Sequence, residues 1–398
     1  MMLRFAVLLL ALLQAPVFAF EDCRYCEDVG MVRCGEHDPE LADMEDQVLF
    51  CSVAARCPAC GGTFWVDCER CDNDTKHAEV AARRKAIAEW AGPYEMEGFI
   101  GHAVPMVETE HFELVVNTGT LKEDKKKVDE HTLMHRVAQD VEFVAGLVHD
   151  HYGLSGMEIH DRPRVVDPAN PDANAFDREY YNKMRMWIWQ NRGDHIKVMR
   201  EVLHSGGEGD FKLLGKRPTF SVWTEGQFST VPAVRTLFTH NAGHMLVSNL
   251  YREIWVGDLG GGWFDAGVGH WYEYERFGQS INACLEEATL NKLYSRGIWK
   301  AALRKKLGEV DSYQLPRLLP MNSVAMTNED QALCWSFYDY LIANHKAALP
   351  ELLKGLKLEE PSRDLLKRVL GKSLFQIEDD WKAWVQATYP AKEKLPRR

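Results

Sequence analysis

The fold class expected of this chain is α+β: a small cysteine-rich head, then a larger body with a short sheet and a mainly helical C-terminal half. Three observations carry that expectation. Eight of the 10 cysteines are crowded between Cys23 and Cys71. Runs rich in β-branched and aromatic residues, TEHFELVVN from Thr109 and TFSVW from Thr219, read as strands in the middle of the chain. After Pro232, apolar residues recur at helical spacing with turn residues between the runs.

With 398 residues, 46% hydrophobic and 27% charged, the chain can bury a sizeable core. A formal charge of −12 leaves no basic surplus for a phosphate backbone, so nucleic acid is not expected as a partner. The N-terminus reads MMLRFAVLLLALLQAPVFAF, with one arginine before the apolar run Phe5–Leu13 and the pattern Val17-Phe18-Ala19 at its end. This predicts a cleaved signal peptide over residues 1–19 and a secreted, periplasmic or cell-envelope protein. Loss of Arg4 with the signal takes the charge from −12 to −13. No later run is apolar for long enough to span a bilayer, so no membrane span is expected after cleavage.

The head, residues 20–75, contains two similar stretches. Residues 23–37 read CRYCEDVGMVRCGEH, or C-x2-C-x7-C-x2-H, and residues 57–71 read CPACGGTFWVDCERC, or C-x2-C-x7-C-x2-C. Tetrahedral zinc accepts either cysteine or histidine, so one exchange between the copies fits a pair of structural zinc sites. The ligands would be Cys23, Cys26, Cys34, His37, Cys57, Cys60, Cys68 and Cys71, holding about two Zn2+ ions. A disulfide knot is the competing reading in an exported protein, and thiol-redox chemistry a weaker one. Cys51 is left over. Cys284 and Cys334, isolated in helical surroundings, read as small buried hydrophobes.

The paired repeats resemble the cysteine-rich zinc domain of DnaJ-type chaperones, built on C-x-x-C-x-G-x-G. Gly30 and Gly62 agree with that pattern, whereas Asp28 and Phe64 stand where it has glycine. The resemblance implies interleaved pairing: Cys23, Cys26, Cys68 and Cys71 on one ion, and Cys34, His37, Cys57 and Cys60 on the other. One ion per fifteen-residue copy is the alternative.

Residues 76–93 begin with KHAEVAARRKAIAEWA and end at Gly92-Pro93, which predicts a helical linker and a body over 94–398. From Lys125 to Tyr152 the residues Met134, Val137, Ala138, Val141, Val144, Ala145 and Val148 form one stripe of a long amphipathic helix. His131 and His135 read as a polar edge beside that stripe, and His149 and His151 as residues of a helix end or loop. Arg164–Asp167 and Thr219–Trp223 are further short strands; DPANPDANAF from Asp167 and Gly206–Gly209 are loops.

Within THNAGHMLVSN, His240 and His244 stand four apart and share one helix face. Thr230 can cap that helix, with Pro232 in its first turn, and the helix should run to about Leu250. A glycine-rich loop then leads to an amphipathic helix from about Phe264. This region resembles the gluzincin zinc metallopeptidases of the peptidase MA superfamily, whose HExxH is followed about twenty residues later by W-x-x-E-G. Trp263 and Gly267 agree with that pattern. Asn241 stands at the general-base position, and Ala266 stands at the third-ligand position. TNEDQALCWSFYDYLIANH and GKSLFQIEDDWKAWV are similar to the family's later segments, so the resemblance covers about 95–390.

Family membership would imply a zincin-like body with a degenerate site. Asn241 cannot take a proton, and Ala266 removes a ligand, so hydrolysis by the usual route is not expected. The expected function is a pseudoenzyme acting as a binding module for a peptide, protein or other cell-envelope ligand. The alternative is an atypical metallohydrolase using His240, His244 and His270, with a base such as Asp265 or Glu273; a scaffold without a ligand is a third class. Trp187, Trp189, Trp263 and Trp271 are candidates to line a cleft or, more simply, to pack in the core.

Overall fold

The computed structural model describes residues 23–27, 29–37, 41, 48–70, 74–90, 95–154, 183–209, 211–215, 218–225, 228–282, 297–309 and 313–394. The expected signal peptide, Asp28, Cys71, Cys284, the expected strand at 164–167 and the expected loop from Asp167 lie outside the described residues. The head supplies β1 (Met31–Arg33), β2 (Phe50–Cys51), the one-turn helix α1 (Ser52–Ala55) and β3 (Trp65–Asp67) in chain order. Then come α2 (Asp74–Trp90), α3 (Glu95–Ile100), β4 (Met106–Glu108), β5 (Phe112–Val116), β6 (Leu121–Glu123), β7 (Lys126–Val128) and α4 (Glu130–Tyr152). The middle of the chain supplies β8 (Met184–Trp189), α5 (Arg192–Glu201), β9 (Phe211–Leu213) and β10 (Thr219–Trp223). The C-terminal half contributes α6 (Val231–Asn249), α7 (Gly262–Phe277), α8 (Lys300–Glu309), α9 (Leu315–Leu318), α10 (Asn328–His345), α11 (Leu349–Lys357), α12 (Ser362–Leu370) and α13 (Leu374–Thr388). The fold is α+β, with small sheets and a helical second half.

The main sheet has the order β2-β4-β5-β8-β10-β9. Strands β5, β8 and β10 run parallel, and the outer strands β2, β4 and β9 pair antiparallel. Helices cover both faces of its centre, so side chains of both parities are buried there. Leu114, Val116, Met186 and Ile188 face the main core with α4 and α6. Val115, Trp187 and Trp189 face a smaller core with Ile100 and Val198. The four tryptophans named above are at most 6% exposed and pack in the interior. Strand β2 belongs to the head, so the cysteine-rich segment shares the body's sheet, and Cys51, Ala54 and Phe64 share its core. Helix α2 also lies against the head: Arg84 Nε donates to Cys60 O at 3.1 Å and Nη2 to Trp65 O at 3.2 Å.

All seven residues of the apolar stripe on α4 are fully buried. The helix starts later than its composition suggests. Residues 121–128 form the β6–β7 hairpin, and Asp129 caps α4 by accepting the Thr132 N–H at 2.8 Å. A buried carboxylate ties the three site-bearing helices together. Asp140 of α4 accepts Arg235 Nε (2.6 Å) and Nη2 (2.9 Å) from α6, and Arg276 Nε (2.7 Å) from α7. Helix α7 also packs on α10, where a Cβ on Gly267 would meet Tyr338 Cβ at 2.7 Å. Gly267, the glycine of the family-like motif, therefore sets how closely these two helices approach. Among the described residues, no helix is long and apolar enough to cross a membrane.

Candidate metal centres

The head owes its pairing to one antiparallel ladder. Strand β1 pairs with β3 in the register Met31↔Asp67, Val32↔Val66 and Arg33↔Trp65. Cys26 precedes β1 and Cys68 follows β3, so they meet at one end; Cys34 follows β1 and Cys60 precedes β3, so they meet at the other. Backbone bonds close both ends, from Cys68 N to Gly30 O at 3.0 Å and from Cys34 N to Phe64 O at 2.9 Å. The result is two groups with metal-ligand geometry: Cys34, His37, Cys57 and Cys60, and Cys23, Cys26 and Cys68. Cys71 lies outside the described residues.

The interatomic distances fit ions rather than disulfides. Cys34 Sγ and Cys57 Sγ are 3.9 Å apart, as are Cys23 Sγ and Cys68 Sγ, and none of the four is in a disulfide. Two sulfurs bound to one tetrahedral zinc at about 2.3 Å lie about 3.8 Å apart, whereas a disulfide needs about 2.05 Å. His37 Nε2 completes the first group at 3.1 Å from Cys60 Sγ. Burial lowers His37 and pushes Cys60 up to about 12, while the backbone N–H groups of Cys26 and Tyr25 bring Cys23 down to about 7. A metal ion would have to displace the Cys60 proton on binding.

Phe64 shows what the departure from the glycine pattern costs and gains. Its φ is +61°, the left-handed conformation a glycine adopts freely and a bulky residue does not. Its ring is buried, 4.6 Å from the His37 ring and 5.6 Å from that of His135 on α4. The strain is offset by apolar packing between head and body.

In the body, Thr230 caps α6 and the helix runs to Asn249, as its sequence signals indicate. His240 and His244 both turn toward α7, with their Nε2 atoms 3.1 Å apart. His240 Nδ1 lies 3.1 Å from Glu273 Oε2, and His244 Nδ1 lies 2.8 Å from Asp265 Oδ1. Such carboxylate partners hold the Nδ1 proton in place and aim the other nitrogen outward. The two Nε2 atoms face each other at a distance that one N–H···N bond, one added proton or one shared cation can bridge. Burial and the neighbouring His244 and Lys212 drive His240 well below the usual histidine range, which disfavours the proton. Nitrogens bound to one tetrahedral ion at 2.0–2.1 Å stand about 3.3 Å apart. Gly269 leaves room for this pair, since a Cβ there would sit 2.3 Å from His244 Nε2.

His270 stacks edge-on to His240, with centroids 4.8 Å apart, and His240, His270 and Glu273 also bring ligand-type atoms within 4.8 Å of one another. Both His270 nitrogens are engaged: Nδ1 lies 2.8 Å from Ser280 Oγ and Nε2 3.0 Å from Gln331 Oε1. It would ligate an ion only by giving up one of those bonds. Burial drives it to about 3. Asn241 donates Nδ2–H to Leu237 O at 2.9 Å, and its Oδ1 is buried without a hydrogen-bond partner. Ala266 is fully buried.

The two remaining carboxylates are occupied. Burial alone would raise Asp265, but His244 and the Ser323 hydroxyl at 2.8 Å hold it below the usual value. Burial raises Glu273, although it accepts N–H bonds from Ile281 (2.7 Å) and Asn282 (3.3 Å) and the Ser280 hydroxyl at 2.7 Å. His240, Asn241, His244, Asp265, His270 and Glu273 are all at most 4% exposed. A surface pocket lined by Leu259, Pro316, Leu319, Pro361 and Phe375 contains none of them.

No family model matches the chain, and no curated protein matches it at a significant level. The structure thus contains Cys/His groups able to hold metal ions, consistent with zinc, and a histidine-rich group in the body. Sequence reasoning did not find the Ser280, Gln331 and Ser323 contacts; isolated polar residues at distant positions carry no signal of convergence.

Proposed function

We propose that the chain is an exported, zinc-braced protein whose body keeps the frame of a metallopeptidase site but works by binding a peptide or protein ligand. The observation that carries this reading is Asn241. A peptidase of this type needs a carboxylate to deprotonate the attacking water. Here the position holds a neutral amide that is hydrogen-bonded along its own helix. Asp265 and Glu273 hold the histidines from the Nδ1 side, with their oxygens taken by Ser323, Ser280 and the 281–282 backbone. Neither is spare to serve as a base, which counts against the metallohydrolase alternative. The facing ring nitrogens favour retention of a cation between His240 and His244, where it would hold α6 and α7 together. Zinc in the head would keep its thiolates from oxidation outside the cytoplasm, in accord with the leader-like residues 1–19.

The test is incubation of the zinc-loaded full chain with a proteome-derived peptide library, read by mass spectrometry. The expected result is that no new peptide termini form. New termini that disappear in His240→Ala would overturn the proposal.

A further inference from the structure

The left-over cysteine and the histidine pair on α4 come together in space. Cys51 ends β2 and caps α1, where its Sγ accepts the Ala54 N–H at 3.5 Å. His131 and His135, the polar edge beside the apolar stripe, stand one turn apart at the start of α4, and both turn toward His37 and Phe64 of the head. Their Nε2 atoms are 3.2 Å apart. Cys51 Sγ and one nitrogen from each histidine lie within 4.8 Å of one another. Cys51 is 3% exposed and His135 is fully buried.

Two readings compete for this cluster. In one, a thiol and two imidazoles simply fill an apolar space, with one N–H···N bond between the rings. That reading gives no reason for three soft or borderline ligand atoms, brought from the head and the body, to converge on one point. In the other reading an ion occupies that point. The nitrogen–nitrogen distance is close to the about 3.3 Å expected for two imidazoles on one tetrahedral ion. Sulfur with nitrogen ligands and no carboxylate selects zinc-like cations over magnesium or calcium. Burial keeps both histidines in the neutral form that ligates, His131 brought to about 4 and His135 to about 3.

We propose that Cys51, His131 and His135 form a third metal site, taking a borderline-soft divalent cation such as zinc and clamping the cysteine-rich head onto α4. Binding converts the Cys51 thiol to a thiolate and releases one proton to solvent; the imidazoles stay neutral, and no electrons are exchanged. Three protein ligands leave a fourth position for water. The site lies beside the Cys34/His37/Cys57/Cys60 group, with the His37 and His131 rings 5.8 Å apart. The head would thereby be joined to the body by metal as well as by strand β2.

The test compares zinc per chain, by native mass spectrometry, in the full-length wild type, Cys51→Ser and His131→Asn/His135→Asn. Each variant should lose one zinc equivalent and keep the others, and the two sets combined should lose no more than one. An unchanged count in the variants overturns the proposal. Cadmium-113 NMR of the cadmium-loaded wild type decides the case without any substitution. A resonance between the sulfur-rich signals of the head and any nitrogen- and oxygen-only signal is expected; its absence overturns the assignment. Because the readout is one sulfur and two nitrogens, metal at His240 and His244 can neither produce nor mask it.

Discussion

Replacing Asp140 with alanine removes an acceptor that Arg235 and Arg276 share, and the size of the loss can be worked from the structure. The carboxylate is fully buried and accepts three N–H bonds at 2.6, 2.9 and 2.7 Å. Removing one partner of a buried ion pair costs roughly 3–5 kcal/mol, because the remaining charge loses its compensation. The two guanidinium groups are 21% and 27% exposed, so water recovers part of that, and the lower end of the range, about 3 kcal/mol, is expected. Asp140→Asn keeps the shape but loses the charge and should fall between wild type and alanine. The assay is urea unfolding at saturating zinc, followed by tryptophan fluorescence, with the slope checked for constancy. Because Arg235 and Arg276 sit near His240 and Glu273 on their helices, Asp140→Ala should also weaken metal retention at His240 and His244. A stability loss below about 1 kcal/mol would mean that the tie behaves like a surface pair, against its burial.

Interleaved ligation in the head predicts that Cys34→Ser, Cys57→Ser and their double variant each lose one zinc by native mass spectrometry; a loss of two in the double variant would indicate one ion per copy. Burial first of all, and Lys346 to a lesser degree, hold His151 at about 4 in the folded chain, against Asp150. The unfolded state therefore binds the extra proton, and stability is lost as pH falls from about 6.5 toward 4, by up to about 1.4 kcal/mol per pH unit. His151→Gln should reduce the slope of urea midpoint against pH by about one proton; an unchanged slope refutes the assignment. Gly269→Ala should destabilise by about 1–3 kcal/mol through the clash with His244, despite gaining up to about 1 kcal/mol of helix propensity. Thermal unfolding showing a net gain would contradict the close packing at His244.

What could be read from the residues alone was what local chemistry dictates. The cap at Thr230, the apolar stripe of α4 and the repeated C-x2-C turns are signals within a few residues of one another. The start of α4 is not legible in composition: the lysine-rich run 125–127 suits a helix, while the β6–β7 pairing and the Asp129 cap decide the outcome. Strand β8 was not foreseen: Met186 and Ile188 face one core and Trp187 and Trp189 the other, so no polar alternation marks it. Long-range convergence was the hardest part. His131 and His135 look like a polar helix edge until the head, some 70 residues earlier, is laid over them. His270 falls on the expected helix face, yet Ser280 and Gln331 determine what its nitrogens do.

In the head, the β1–β3 register dictates which thiolates meet. Anomalous diffraction from crystals of the full chain, recorded on both sides of the zinc absorption edge, would locate every bound ion. One zinc peak is expected among Cys34, His37, Cys57 and Cys60, and another beside Cys23, Cys26 and Cys68. Sulfur–sulfur bonds at these cysteines with no zinc signal, or an ion shared by Cys26 and Cys34, would contradict it.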